Sequence, residues 1–512
     1  MRAITRVLRV DEEGIDLRGA GDEVLDVLFD DRRIWSFWSG RDTDPGPGPG
    51  RRHAAWPRSL QRFLDGTTRV TVRVHVTERV LHDAECSFGS GAGRVAVEAP
   101  DGTPLGLDKS GRASATFDVR SAADVAPLLD AIETVLEALR TAGVQPFVAY
   151  GTLLGAVREG GFLGHDSDAD LGYVSEHEHP VDVVRESFRL QRAVAGMGFA
   201  TLRYSGAAFR VDVAEADGNA RGLDVFAGFV DHDWLHLMGE VSAPFRREWI
   251  YPTTTARLED RDVPVPAVPE RLLEATYGPH WRVPDPAFKF STPDSARRRL
   301  TGWFRGNAFE RLVFERAFGR LTTMPGRTPS PVVEEVLDWV GPNGRVLDVG
   351  AGRGVESVWL GRQGVAVSAY DFVPKGLRVA RRIVEEERLP VEVRTLNLTE
   401  WRSVFGEGAR AARFTEERRV VLARHVADST NRFGRESLAR FCAMALRGGG
   451  RLHLDVWTGE GAGPKRQRPV RLAEMVGLVE NQGARVVLAE EVGVDEERGR
   501  NYSIGRLVAE WD

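Results

Sequence analysis

The 512-residue chain is poor in cysteine, with only Cys86 and Cys442. Two cysteines so far apart build neither a disulfide framework nor a zinc knuckle, and they fit a reducing compartment. No apolar run reaches the roughly 18 residues that a membrane-spanning helix needs. The opening MRAITRVLRVDEEG lacks the apolar core of a secretory signal, so a cytoplasmic location is expected. Positive charge is not in excess either. Lys and Arg number 69 against 75 Asp and Glu, a net charge of -6, which gives no reason to expect nucleic acid or an anionic membrane as partner. There is no internal repeat. What is present is ordinary globular material, 42% hydrophobic and 28% charged. At about 100–200 residues per domain, this length suggests about three domains. Oligomeric state is not set by these features.

Residues 1–118 read as short strands and turns. RIWSFWS (33–39) and TRVTVRVHV (68–76) alternate apolar and polar, PDGTP (100–104) signals a turn, and DPGPGPG (44–50) reads as a flexible or extended loop. A small β-rich sandwich is expected. Its Trp35, Phe37, Trp38 and Trp56 form a hydrophobic core or, alternatively, a face for a sugar. From Ser121, which can cap it, to Val144 the apolar residues recur at helical spacing, and Gly143 closes the helix. Mixed α/β sequence continues to about residue 288. Residues 291–331 are a basic helical linker. Its Arg297–Arg299 run with Trp303 and Phe304 suits a solvated helix packed on a neighbour, with peripheral membrane contact as the alternative. From 332 to 512 strands and helices alternate, as in a doubly wound sheet.

The first chemical signal is YGTLLGAVREGGFLGHDSDADLGYV (150–174). On a strand, Asp168 and Asp170 share one face while Ala169 and Leu171 share the other. Two carboxylates so placed suit Mg²⁺, or Mn²⁺, a hard ion often shared with substrate phosphates. A third acid, Asp224, lies in the apolar run GLDVFAGF (222–229). If that strand neighbours the first, three acids converge. Gly151 and Thr152 open a short helix whose N-terminus can receive a phosphate, with Arg158 as a further contact. The HEH run at His177–His179, followed by Pro180, reads as a loop rather than a metal site.

This order of elements resembles the nucleotidyltransferase fold, and the stretch from Tyr150 to Tyr173 is similar to the LicD family, which includes phosphocholine transferases and fukutin-type proteins. LDVF (223–226) and VPAVPERLLEATYGPHW (265–281) agree with that pattern. The resemblance implies Asp168 and Asp170 as metal ligands, Asp224 as third ligand or general base, and Gly151 and Thr152 as phosphate contacts. It implies transfer of a phospho-alcohol from a CDP-type nucleotide-linked donor to a glycan hydroxyl. Ser167 interrupts the acidic run usual in the family, and His165 stands where an aromatic is common.

The second signal is GRVLDVGAGRGVESVWLGRQGVAVSAYDFVP (344–374). Gly350, Gly352 and Gly354 follow a buried strand and permit close approach of backbone to a ligand. Asp371, ending the next strand, can hold two ribose hydroxyls. A dinucleotide fingerprint would place Gly or Ala at position 355, where this chain has valine. The G-x-G-x-G loop with Asp348 ahead of it resembles instead the class I methyltransferases that use S-adenosylmethionine. Asn397 then falls at the adenine-contacting end of the third strand. His425, ending the fourth, is a candidate base, with a hydrogen-bonded core histidine as the plainer reading. His453, inside a strand, reads as structural.

The expected fold is multidomain α/β: a β-rich accessory domain (1–118), a nucleotidyltransferase-like α+β domain (119–290), the linker (291–331) and a Rossmann-like doubly wound methyltransferase domain (332–512). The expected function is that of a bifunctional transferase decorating a cell-surface glycan or its precursor, with a glycan or small molecule as acceptor. Two alternatives remain open. In one, only methyl transfer is active and the LicD-like domain recognises substrate. In the other, both domains are degenerate and the chain is an assembly module.

Overall fold

The computed structural model describes residues 5–19, 21–108, 111–214, 220–237, 241–304, 314, 329–373, 375–416, 418–459, 469–494 and 502–512. Of the expected linker helix, 305–313 and 315–328 lie outside the described residues. The chain divides into two compact units, residues 1–203 with 207–299, and residues 300–512 with 204–206.

The first unit opens with β1 (Arg6–Val10), β2 (Gly14–Arg18), β3 (Val24–Phe29), β4 (Arg32–Trp38), β5 (Asp44–Pro45), β6 (Arg51–Ala55), α1 (Arg58–Gln61), β7 (Gly66–Val74) and β8 (Val80–Phe88). They form two antiparallel sheets, in the orders β1-β2-β6-β5 and β4-β3-β7-β8. Ile15, Leu17 and Ala54 of one sheet share a buried cluster with Leu25, Val27, Val70 and Val72 of the other, the alternation that a two-sheet core requires. Phe37 and Trp56 belong to that core, and Trp38 donates its indole N–H to Asp285 at 3.0 Å. The stretch from Asp44 to Gly50 is not a free loop. Asp44 pairs with His53 and Pro45 with Arg52, so its glycines turn a hairpin. A two-residue pair, β9 (Gly106–Leu107) with β10 (Ala113–Ser114), follows.

Next comes α2 (Ala122–Thr141). Ser121 and Asp124 cap it reciprocally, and Gly143 ends it at φ 96°, a left-handed conformation that glycine takes without strain. The remaining elements are β11 (Phe147–Val148), α3 (Tyr150–Arg158), β12 (Ala169–Val174), α4 (Pro180–Gly196), β13 (Ala200–Ser205), β14 (Ala208–Ala214), β15 (Ala220–Asp231), β16 (Trp234–Leu237), β17 (Val241–Pro244), β18 (Thr254–Leu258), β19 (Arg261–Val265), α5 (Pro269–Tyr277) and α6 (Asp294–Leu300). The mixed sheet runs β11-β12-β15-β14-β13, with β16 and β17 extending from β15. The central pair, β12 and β15, is parallel. At the end of the unit Arg299 pairs with Asp231. Phe304, in the second unit, is fully buried, so it is not offered to a membrane surface.

The second unit contains α7 (Pro331–Val340), β20 (Arg345–Val349), α8 (Val355–Arg362), β21 (Ala366–Asp371), α9 (Arg378–Glu387), β22 (Val391–Thr395), α10 (Trp401–Ala411), β23 (Arg419–Arg424), α11 (Arg432–Leu446), β24 (Gly450–Trp457), α12 (Leu472–Glu480), β25 (Arg485–Val494) and β26 (Tyr502–Trp511). The sheet order is β22-β21-β20-β23-β24-β26-β25. The first five strands in that order are parallel and β26 runs against β24. Both faces are covered. Leu347 and Val349 pack under α10 to α12, while Val346 packs with Val336 and Val358 of α7 and α8. Near-continuous apolar strands are what a parallel sheet covered on both faces needs. Among the described residues, no helix is long and apolar enough to cross a membrane.

Candidate functional sites

The first site grows from the alternation of two adjacent strands. Ala169 and Leu171 of β12, and Leu223 and Val225 of β15, are fully buried. Asp168, Asp170 and Asp224 therefore face the other way. Parallel pairing sets Asp170 directly beside Asp224. Ligand atoms of Asp168, Asp170 and Asp224 lie within 4.8 Å of one another. Three carboxylates so close repel strongly unless cations lie among them. An all-oxygen donor set suits a hard divalent cation, and these three residues could hold one. Asp166, the remaining acid of the opening stretch, does other work. Its carboxylate accepts from the Ser167 N–H at 3.1 Å and its carbonyl from the Phe117 N–H at 2.8 Å, which fixes the loop before β12.

Helix α3 holds this edge in place. The Asp170 N–H donates to the Thr152 hydroxyl at 2.9 Å, and the Asp170 carbonyl accepts from Ala149 N–H at 2.9 Å. Thr152 is buried, so its hydroxyl orients Asp170 from behind; Gly151 is buried beside it in the first turn. Tyr150 starts the helix at φ 46°, a conformation non-glycine residues adopt at a cost of about 1–3 kcal/mol and one that gathers at functional sites.

Arg158 lies at the far end of α3 from this edge. It ends α3, eight residues and so about 12 Å along the axis from Tyr150. There it pairs with Glu159 at 2.7 Å and donates to the Trp281 carbonyl at 3.3 Å. A cation on the same sheet face is Arg210, which the sequence reading missed. Antiparallel pairing of β14 with β15 sets Arg210 opposite Asp224. Its Nε donates to Asp212 at 2.6 Å, and the guanidinium lies across Gly222, where a methyl group would sit 1.6 Å from Nε. Gly222, two residues ahead of Asp224, was the available signal; the register that explains it is a property of the folded sheet.

The second site lies where the parallel sheet reverses its order, between β20 and β23. In such sheets ligands occupy the crevice at the carboxyl ends of the strands flanking that reversal. Gly350, Gly352 and Gly354 leave β20 with φ of 78°, 57° and 75°, all left-handed. A Cβ at Gly350 would meet Val426 Cβ at 2.7 Å, and one at Gly354 would meet Ala380 Cβ at 2.6 Å. At Gly352 it would meet, among the described residues, only the Gly350 carbonyl oxygen, at 3.9 Å, so the middle of the loop is the least crowded part.

Asp371 ends β21 and ties the loop down. Its two oxygens accept from the Gly352 and Val373 N–H groups, each at 2.8 Å. Burial pushes its carboxyl up to about 6, against the lowering effect of those bonds. Asp348 accepts from the Ser357 hydroxyl at 2.5 Å, which clamps α8 to the strand that precedes it. Burial, helped by Glu356, pushes the Asp348 carboxyl up to about 7. Asn397 lies two residues beyond the end of β22. Its carbonyl oxygen accepts from the Thr399 N–H at 3.0 Å and hydroxyl at 2.7 Å, so its NH₂ end is what it offers a ligand. His425 follows β23 directly, 2.9 Å through Nδ1 from the buried Asp428. Asp428 was not singled out from the sequence. His453 is buried within β24, and burial lowers it to about 4.

Residues 143–268 match the family model of the LicD/FKTN/FKRP nucleotidyltransferase domain. The first unit carries a LicD domain. The acidic triad and α3 both fall inside it. Over 110 residues the chain is also 32% identical to the ubiquinone biosynthesis O-methyltransferase of Xanthomonas axonopodis pv. citri (strain 306), which covers 22% of this chain and 41% of that protein. The chain thus spans about two fifths of the length of that curated relative. The 1,6-didemethyltoxoflavin-N1-methyltransferase of Burkholderia thailandensis, solved with S-adenosylhomocysteine, shows 18% identity and a TM-score of 0.31 over 40% of this chain and 88% of its own. The magnesium protoporphyrin IX methyltransferase of Synechocystis PCC 6803 shows 16% identity and a TM-score of 0.27 over 40% and 94%. One chain thus matches both the LicD domain model and, over 110 residues, an O-methyltransferase.

Proposed function

We propose that the chain is a bifunctional transferase that decorates a glycan or glycan precursor. Its LicD domain moves a phospho-group from a nucleotide-linked, CDP-type donor to a hydroxyl. Its second unit moves a methyl group from S-adenosylmethionine. The observation that carries the first half is the convergence of Asp168, Asp170 and Asp224 on one sheet face. These residues would hold Mg²⁺ or Mn²⁺, and a bound ion supplies neutralisation of charge on the donor phosphates. Asp224 alternatively accepts the proton of the attacking hydroxyl. Thr152 keeps Asp170 aimed, and Arg210 adds the positive charge that a diphosphate requires beyond one divalent ion.

The second half rests on the glycine loop at the sheet reversal. S-adenosylmethionine, when bound, supplies a methyl group on a sulfonium that leaves as a thioether. The glycines at 350, 352 and 354, with no side chains, allow it close approach to the loop backbone. Asp371 accepts from ribose hydroxyls while holding the loop, and the Asn397 NH₂ group meets adenine. Asp348 sets the start of α8. His425 is the base for the acceptor. The 1–118, 119–290, 291–331 and 332–512 boundaries remain our proposal for the domains. The two free cysteines support our reading of a cytoplasmic protein.

The test is calorimetric titration of the full chain with CDP-choline and CDP-ribitol, with and without Mg²⁺, and separately with S-adenosylhomocysteine. Metal-dependent binding of either nucleotide supports the LicD half. Binding of S-adenosylhomocysteine alone would instead support a methyltransferase whose LicD domain recognises substrate. Binding of neither would favour an assembly module.

A further inference from the structure

We infer that Asp428 is the positioning residue for His425: its buried carboxylate holds the imidazole in the tautomer with hydrogen on Nδ1, leaving Nε2 to take the proton of the methyl acceptor. This rests on the methyl-transfer reading above.

The backbone is where the argument starts. His425 sits at φ 54°, left-handed for a residue with a side chain. That conformation costs roughly 1–2 kcal/mol and persists only where neighbours enforce it. They do so here. The His425 N–H donates to the Asp455 carbonyl at 2.9 Å, and its own carbonyl accepts from the Ser429 hydroxyl at 2.6 Å. The chain is thereby bent out of strand alternation immediately after β23. The next residue, Val426, fills the space that a side chain on Gly350 would need. His425 is thus anchored beside the glycine loop, just past the strand that flanks the sheet reversal.

The side chains carry the rest. The Asp428 side chain is 0% exposed and that of His425 is 28% exposed, so the pair has a buried end and an open end. Asp428 Oδ2 lies 2.9 Å from His425 Nδ1 and also accepts the Trp457 N–H at 2.8 Å. An oxygen that receives a backbone N–H is not the one carrying a proton, so Oδ2 acts as acceptor toward the ring too. A neutral imidazole has one N–H, and here that hydrogen belongs on Nδ1. Nε2 then keeps its lone pair. Trp457 ends β24, so the dyad joins the carboxyl ends of two neighbouring strands.

The balance is complete. A bond forms between the acceptor heteroatom and the methyl carbon. The carbon–sulfur bond breaks, and its electron pair stays on sulfur, which becomes a neutral thioether. The acceptor proton moves to Nε2, giving an imidazolium that Asp428 stabilises and that later releases the proton to water. Without the carboxylate, half or more of the neutral ring would carry its hydrogen on Nε2 and could not accept.

The experiment is long-range ¹H–¹⁵N NMR on the full chain labelled in its 11 histidines, with His425→Gln to assign the signal. The expected result is a protonated Nδ1 and a bare Nε2. Asp428→Leu is the informative variant. It keeps a similar volume and removes Oδ2, the one oxygen that meets both Nδ1 and the Trp457 N–H, so the ring hydrogen is free to move to Nε2. Acylation of His425 by diethylpyrocarbonate, read by mass spectrometry, should then fall by about half or more, as the share of rings with a bare Nε2 falls. S-adenosylhomocysteine should shield His425 in the unaltered chain. A hydrogen on Nε2 in the unaltered chain, or a tautomer untouched in Asp428→Leu, would overturn the inference. Calorimetry with S-adenosylhomocysteine on the same samples separates the failures. Binding with an unchanged tautomer rejects the role of Asp428 alone, whereas no binding rejects the methyl-transfer reading and the base role with it.

Discussion

Single residues decide how each site is held. The Thr152 hydroxyl is the acceptor for the Asp170 amide. Thr152→Val keeps the shape and removes that acceptor, leaving a buried N–H unsatisfied at a cost of about 1–3 kcal/mol. The Asp170 amide should then exchange with solvent at least about tenfold faster in hydrogen-exchange mass spectrometry. An unchanged rate would mean that α3 does not secure the edge of β12. Asp348 makes a pH prediction. Its carboxyl is raised by burial from 3.8 to about 7. Between those values the folded unit keeps a proton that the unfolded chain has lost. Stability should therefore fall as pH rises from about 4 to about 7. Asp348→Asn can still accept from Ser357 and has no proton to lose. Its urea midpoint relative to the unaltered chain should climb across that window, and a constant difference would count against the raised carboxyl.

At the scale of elements, two glycines mark where strand and loop geometry leave no room. Gly350 combines φ 78° with a 2.7 Å approach to Val426. Gly350→Ala must strain the loop and push on the residue next to His425. S-adenosylhomocysteine affinity should drop by about tenfold or more, since a left-handed alanine alone costs about 1–2 kcal/mol. Gly222→Ala should displace the Arg210 guanidinium from the face that β15 presents, because a methyl group would overlap it. The expected readout is weaker binding of the CDP nucleotides at constant Mg²⁺, with S-adenosylhomocysteine unaffected. Nucleotide affinity equal to that of the unaltered chain would remove Arg210 from the site.

For the whole molecule the prediction concerns independence. The acidic triad belongs to one compact unit and the glycine loop to the other. Asp168→Ala should abolish Mg²⁺-dependent nucleotide binding and leave S-adenosylhomocysteine affinity within error of the unaltered chain, both read by calorimetry. Loss of the two together would show that the sites are not the separate machines described above.

Local chemistry was legible from the sequence wherever period and turn type carry it. Asp168 and Asp170 on one face, the capped helix from Ala122, the left-handed glycines after β20 and Asp371 at a strand end all follow from spacing of 2 or 3.6 residues and from glycine's freedom at positive φ. Only the tertiary structure could decide what lies beside them. Asp224 stands 54 residues from Asp170 and becomes its neighbour through strand pairing. Arg210 comes opposite Asp224 through register, while Arg158 stands at the other end of α3 from Thr152. Asp428 gained its meaning when His425 was bent back on it and Trp457 closed on the same oxygen. Periodicity is a short-range property of the chain, whereas convergence of charge depends on which strands pair and in which register, and that is settled by burial of the whole sheet.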